Sequence, residues 1–298
     1  MFQAFSRYTL GPYVTEFKSF PRSILYPTDF FSSQDETVQE IMGSFTSILE
    51  NFLGVRRTEF SLADRWTESP PPEAEGKALQ EYMNRVASLG VVENMQVAYL
   101  AEASYRPGTT LFITTAITNM ITSEQIMSIS LASASTYHHT CSGNGKNLGA
   151  KVTKSEREQS LEELKVFQDW FADNVLRTDE KCGSTAILIL PVGPGIPIYR
   201  DIYLPPRGRE GIDALSLGAF LSIPQIVLPI GQSEYKSRVS DRVEIHPVAG
   251  SIAGASGSDR MLIKLVEQAL KKAGWPTQVT CGRYAFPLSE DDDGRSGN

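Results

Sequence analysis

Thr185-Ala186-Ile187-Leu188-Ile189-Leu190-Pro191 and Gln225-Ile226-Val227-Leu228-Pro229 are two unbroken apolar runs, each stopped by a proline. Runs this short, with no polar alternation, read as strands buried on both faces. Val248–Ala253 reads as a third strand. Ser258 then stands at the N-cap of a helix carrying Leu262, Leu265, Val266, Ala269 and Leu270 on one side, ended by Gly274 and Pro276. Between the first two strands, a loop over Val192–Arg209 leads to a short helix near Asp213–Leu221. Strand, helix, strand, hairpin, strand, helix predicts an α/β fold, a mixed sheet with helices packed on it.

Working outward, Ser33-Gln34-Asp35-Glu36 has the form of a capping box. Val38, Ile41, Met42, Phe45, Ile48, Leu49, Phe52 and Leu53 follow at threes and fours, one apolar stripe of a helix. Gly54 falls at its C′ position. Residues 1–32 read as loop with short extended pieces, and Val55–Leu62 as a strand. Residues 69–76 are a proline loop, and Lys77 to about Ala103 is helical. A second capping box, Ser155 with Glu158, opens a helix bearing Leu161, Leu164, Phe167, Trp170, Phe171 and Val175. From Pro107 to Gly145 the only charged residue is Glu124, and no period is visible. Residues 289–298 are acidic and polar and read as a disordered tail.

The block from 183 to 286 carries a resemblance. It contains Gly183-Ser184-Thr185 before the first strand and Pro197-Ile198-Tyr199-Arg200-Asp201 after it. Next come Ile223-Pro224-Gln225-Ile226-Val227-Leu228-Pro229-Ile230-Gly231 and Tyr235-Lys236-Ser237. Gly254-Ala255-Ser256-Gly257-Ser258-Asp259 and Gly282-Arg283-Tyr284-Ala285-Phe286 close it. This order resembles the C-terminal part of amidase-signature hydrolases. It is most like members that carry an added scytalone-dehydratase-like domain. Ser23-Ile24-Leu25-Tyr26-Pro27-Thr28-Asp29-Phe30-Phe31 resembles the segment after that family's catalytic core.

The likeness spans about residues 20–105 and 146–286. It implies one partial amidase-signature domain over 1–288, an incomplete sheet, and an irregular insertion over about 107–145. Two readings of that insertion stand: a genuine loop, or translated non-coding sequence such as a retained intron. The family cleaves amide C–N bonds with a lysine, a bridging serine and a nucleophilic serine. These lie N-terminal to the segment resembled here, so none is carried over and no catalytic residue is assigned.

The remaining candidates each carry a plainer reading. Gly254–Asp259 lacks both the Gly-x-Ser-x-Gly pattern and a P-loop lysine, and reads as a strand-to-helix turn capped by Ser258 or Asp259. His138, His139 and Cys141 fall short of the roughly four ligands that zinc takes. His246, before a proline, reads as structural rather than as an acid–base residue. Tyr199 with Arg200 and Asp201 reads as a substrate entrance or a salt-bridged loop anchor. Cys182 and Cys281 read as small apolar residues. Glu162, Glu163, Lys165 and Asp169 read as a solvated helix face.

The chain has 298 residues, 41% hydrophobic and 21% charged, with net charge −7. That composition is ordinary for a globular protein. With no basic stripe, a nucleic-acid partner is not expected. No run approaches the roughly 18 apolar residues of a membrane span. Three scattered cysteines and no apolar run behind Met1–Arg7 predict a cytoplasmic protein without a signal peptide. No cofactor or metal is expected. The leading reading is a C-terminal amidase-signature homologue, inactive alone, acting on a small amide only if completed by an N-terminal half. The alternative is a non-catalytic interaction module or pseudoenzyme subunit, with a protein partner covering exposed sheet edges. An independent site near His246 and Arg200 is a third.

Overall fold

A computed structural model of the chain describes residues 17–31, 36–88, 153–193, 197, 199, 212–275 and 277. The chain divides into two compact units. The first comprises Met1–Pro72, Gln168–Pro206 and Asp213–Asn298; the second comprises Glu73–Phe167 and Arg207–Ile212.

Among the described residues, the first unit holds a mixed five-stranded sheet. Its strands are β1 (Ile24–Pro27), β2 (Arg57–Phe60), β3 (Ile187–Val192), β4 (Gln225–Lys236) and β5 (Val243–Ala253), in the order β2-β1-β3-β5-β4. β1 runs parallel to both β2 and β3, while β5 is antiparallel to β3 and β4. The expected α/β architecture is what is observed. One face is covered by α1 (Glu36–Leu53) and α6 (Asp259–Lys272). Their apolar stripes place Met42, Phe45, Leu49, Leu262 and Leu265 against Ile24, Ile187, Ile189, Leu228, Ile230 and Ile252. Each such side chain contributes about 1.5–3 kcal/mol by leaving water. Both helices end at a glycine with positive φ, Gly54 and Gly274. The amides of Val55 and Trp275 bond back to Glu50 O and Leu270 O, closing the last turns.

β3 is buried along Ile187–Pro191, so both of its faces are covered, as its unbroken apolar run predicts. It runs through Pro191 instead of stopping there. In β3, Ile187 N bonds Ser23 O, so odd-numbered residues face β1. β1 pairing ends at Leu188, so the missing N–H of Pro191 points where no β1 residue is paired. β4 is not the strand buried on both faces that its apolar run suggested. Among the described residues it ends the sheet, and Val227 is 52% exposed. β4 and β5 are also longer than expected, reaching Lys236 and Val243 as one hairpin with a bulge between Pro229 and Gly231.

Three local expectations change. A helix, α2 (Leu62–Glu68), follows β2, capped by Ser61 Oγ accepting from Asp64 N at 3.0 Å. Asp29 reinforces this cap by accepting from Leu62 N at 2.6 Å. The capping box of α4 (Lys154–Asn174) is Thr153 with Glu156, not Ser155 with Glu158. Ser258 stands at the N-cap of α6 but makes no side-chain cap bond. Helix α3 (Leu79–Ser88) is described only to Ser88. The box residues Ser33 to Asp35, the segment 107–145 and the tail 289–298 lie outside the described residues. The short helix near 213–221 is α5 (Leu217–Leu221).

In the second unit, α3 buries Leu79, Tyr82, Met83 and Val86, and α4 contributes Leu164 and Phe167. Ile212 N donates to Gln80 Oε1 at 3.2 Å. No helix of the described residues is long and apolar enough to cross a membrane.

Candidate functional site

The strand-to-helix turn Gly254–Asp259 lies between β5 and α6, at the end of the sheet where β3 begins. Its buried polar groups are held by hydrogen bonds, while Ser256 and Asp259 are exposed. Gly254 N donates to Pro224 O at 3.2 Å. Ala255 N donates to Ser184 Oγ at 3.0 Å, and that hydroxyl donates to Ala186 O at 2.6 Å. Ser258 Oγ donates to Ala255 O at 2.6 Å. On β5, Ser251 Oγ donates to Leu190 O at 3.2 Å and accepts from Gln225 Nε2 at 2.8 Å. Ser184, Ser251 and Ser258 are all buried. A nucleophilic serine needs its proton taken by a neighbouring base. Among the described residues, the bonding partners of these three hydroxyls are carbonyls, one main-chain amide and one glutamine.

Cys182 sits beside this turn. Its sulfur is 3.1 Å from Asp179 Oδ1 and 3.0 Å from Ser184 O, so its one proton serves one acceptor at a time. Burial, then the Asp179 carboxylate, push the thiol above its ordinary range. The same contact, with the amides of Cys182 and Lys181, holds the Asp179 carboxyl below its own range. At pH 8 the reactive thiolate is therefore scarcer than for a free cysteine. Iodoacetamide should label Cys182 in the native chain about tenfold or more slowly than in the denatured chain. Peptide mapping of the modified cysteine checks this, and equal rates would refute it.

A second cluster lies along the β4–β5 hairpin. His246 meets the Tyr235 ring edge-on, centroids 6.1 Å apart. Tyr235 Oη donates to Glu244 Oε2 at 2.8 Å, and Ser240 Oγ donates to Glu244 Oε1 at 2.5 Å. The Ser240 bond, then the Tyr235 bond, lower the Glu244 carboxyl; the Glu244 bond, first among its causes, raises the Tyr235 phenol. Arg238 lies over the Tyr199 ring at 4.4 Å, and its amide donates to Tyr199 Oη at 3.1 Å. Tyr199 thus anchors the hairpin. Arg200 and Asp201 lie outside the described residues, as do His138, His139, Cys141 and Cys281. Among the described residues no group of three or more His, Cys, Asp or Glu could hold a metal ion. On α4, Glu162, Lys165 and Asp169 are exposed and Glu163 is half-buried, a largely solvated face.

Sequence reading missed one feature. Leu215, Gly218, Ala219, Ile223, Gln225 and Val227 line an apolar depression of about 380 Å³ beside β4. Gln225, one of the lining residues, donates to Ala214 O at 3.1 Å as well as to Ser251. A Cβ at Gly218 would sit 2.6 Å from Gln225 Oε1, so glycine makes room for this side chain.

No protein-family model matches the chain. Among solved structures it is similar to a glutamyl-tRNA(Gln) amidotransferase chain of Thermotoga maritima (13% identity, 89% of this chain and 44% of that chain, TM-score 0.45). It is similar to Kluyveromyces lactis allophanate hydrolase (12% identity, 93% and 37%, TM-score 0.48). A bacterial aryl acylamidase belonging to the amidase-signature enzymes is another (13% identity, 86% and 46%, TM-score 0.36). These structural neighbours are amidase-signature enzymes. The chain spans less than half the length of each of the three.

Proposed function

We propose that the chain is a homologue of amidase-signature hydrolases and does not hydrolyse amides by itself. The observation that carries this reading is the bonding of Ser184, Ser251 and Ser258. Each hydroxyl donates to a main-chain carbonyl, and none has a lysine partner among the described residues. A serine so held has no base to activate it. The motifs from Gly183 to Phe286 supply the ancestry. In this reading a small amide is turned over only by an assembly that provides the family's lysine, bridging serine and nucleophilic serine. The chain works in the cytoplasm, where a thiol such as Cys182 stays reduced.

The test is ammonia release from simple aliphatic and aromatic amides by the purified chain. The expected rate equals the buffer blank. Release above the blank, abolished by a serine-directed inhibitor such as phenylmethylsulfonyl fluoride, would overturn the reading.

A second reading, a non-catalytic interaction subunit, is favoured by the sheet ends. β2 and β4 terminate the sheet among the described residues, and Val227 and Leu215 beside β4 are 52% and 55% exposed. Unpaired strand edges next to apolar surface are binding surfaces by default.

A further inference from the structure

The direction of the main-chain groups on β4 follows from the two bonds that bracket its pairing with β5. Gly254 N donates to Pro224 O, and Ser237 N donates to Arg242 O. Antiparallel strands alternate bonded and non-bonded pairs. Counting from Pro224, the even residues Ile226 and Leu228 therefore face β5. Gln225, Val227 and Pro229 turn their main-chain groups away from it. The bulge after Pro229 shifts the phase, so Gln232, Glu234 and Lys236 face outward beyond it. Within Gln225–Pro229 the outward side offers two N–H donors, of Gln225 and Val227, and three carbonyls.

This pattern is self-complementary. In a two-fold antiparallel pairing centred on Val227, each Val227 N–H meets the Val227 carbonyl of the other copy. Each Gln225 N–H meets the other copy's Pro229 carbonyl. Pro229 has no donor, so it costs one bond per copy and leaves four. The same register sets Val227 against Val227 beside the apolar depression. From Ala214 to Ser233 there is no acidic or basic residue, so two copies bring no like charges together. β2, the other end of the sheet, is four residues long and carries Arg57 and Glu59, a charged and short edge of the kind that resists pairing.

We infer that β4 pairs with β4 of a second copy of this chain about a two-fold axis at Val227, joining two five-stranded sheets. This rests on the interaction-subunit reading and names its edge and occupant. In a bonded antiparallel pair the facing Cα atoms are about 5.5 Å apart, within disulfide reach.

The experiment uses the full chain with Cys141→Ser and Cys281→Ser. Under mild oxidation Val227→Cys should give a reducible covalent dimer, whereas Val239→Cys, which is 74% exposed, should not. In a sedimentation series, Val227→Glu and Val227→Lys should each weaken self-association by about tenfold, and mixing the two should restore it. If the charged variants fail to fold, the cysteine arm still decides. A chain monomeric at every concentration overturns the β4 pairing and self-association together. A dimer that forms while Val227→Cys does not cross-link, or cross-links no better than Val239→Cys, overturns the β4 assignment and leaves the interaction reading standing.

Discussion

Replacing Phe45 by alanine is expected to lower stability by about 3–5 kcal/mol, read as a fall in urea midpoint with little change in slope. Phe45 is fully buried on the inner face of α1. It belongs to the cluster that joins α1 and α6 to Ile24 of β1, Ile189 of β3 and Ile252 of β5. The ring is therefore shared by elements from distant parts of the chain, and its loss opens a cavity that no single element can collapse to fill. A domain of this kind has about 5–15 kcal/mol in total, so one truncation removes a large part. Ser44, the exposed neighbour on the same helix, is the control, and its alanine variant should stay within about 0.5 kcal/mol. A Phe45→Ala cost below about 1 kcal/mol would contradict the packing of α1 on the sheet.

That core was legible because a helix repeat repeats locally. Val38, Met42, Phe45 and Leu49 announce their shared face by spacing alone, and all four are buried. β3 was legible for a related reason: consecutive residues Ile187 to Pro191 are all buried, so both its faces are covered and it has no solvent face to encode. β4 was misread because it looks the same in one dimension. Ile226-Val227-Leu228 is apolar whether or not a strand lies beyond it, and an edge is a property of the sheet. Pro191 misled for the same reason, since proline breaks only a ladder that needs its N–H. α2, at seven residues, is too short for periodicity, and Ser61 and Asp64 were its one signal. Thr153 and Ser155 each precede a glutamate by three, and spacing alone cannot rank two overlapping boxes. The contacts that define the candidate site were invisible for another reason. Ala255 and Ser184 are 71 positions apart, and Gln225 and Ser251 are 26 apart. A serine that braces a distant turn looks like any other serine in sequence.

Ser184→Ala should cost about 2–5 kcal/mol, more than most loss-of-hydroxyl changes, because two buried main-chain groups lose their partner at once. The Ser184 hydroxyl accepts from Ala255 N and donates to Ala186 O. Each orphaned buried group costs about 1–3 kcal/mol unless water replaces the bond. Ser184 itself has no exposed surface, and Ala255 is 1% exposed, so water reaches the gap poorly. Hydrogen exchange at the Ala255 amide should accelerate in step with the fall in urea midpoint. Ser184→Thr keeps the hydroxyl and should recover part of both. Thr67→Ala, which removes an exposed bond to Ala63 O within α2, should change stability by about 0.5 kcal/mol or less. If Ser184→Ala costs no more than Thr67→Ala, this hydroxyl does not hold the turn and the structural account of it is wrong. The outcome bears on function as well. A serine committed to tying β3 to the start of α6 is scaffold. The Gly254–Asp259 motif, which by sequence invites comparison with nucleophile and phosphate loops, then owes Gly254 to the close approach of Ser258 and Leu262 and Gly257 to its positive φ.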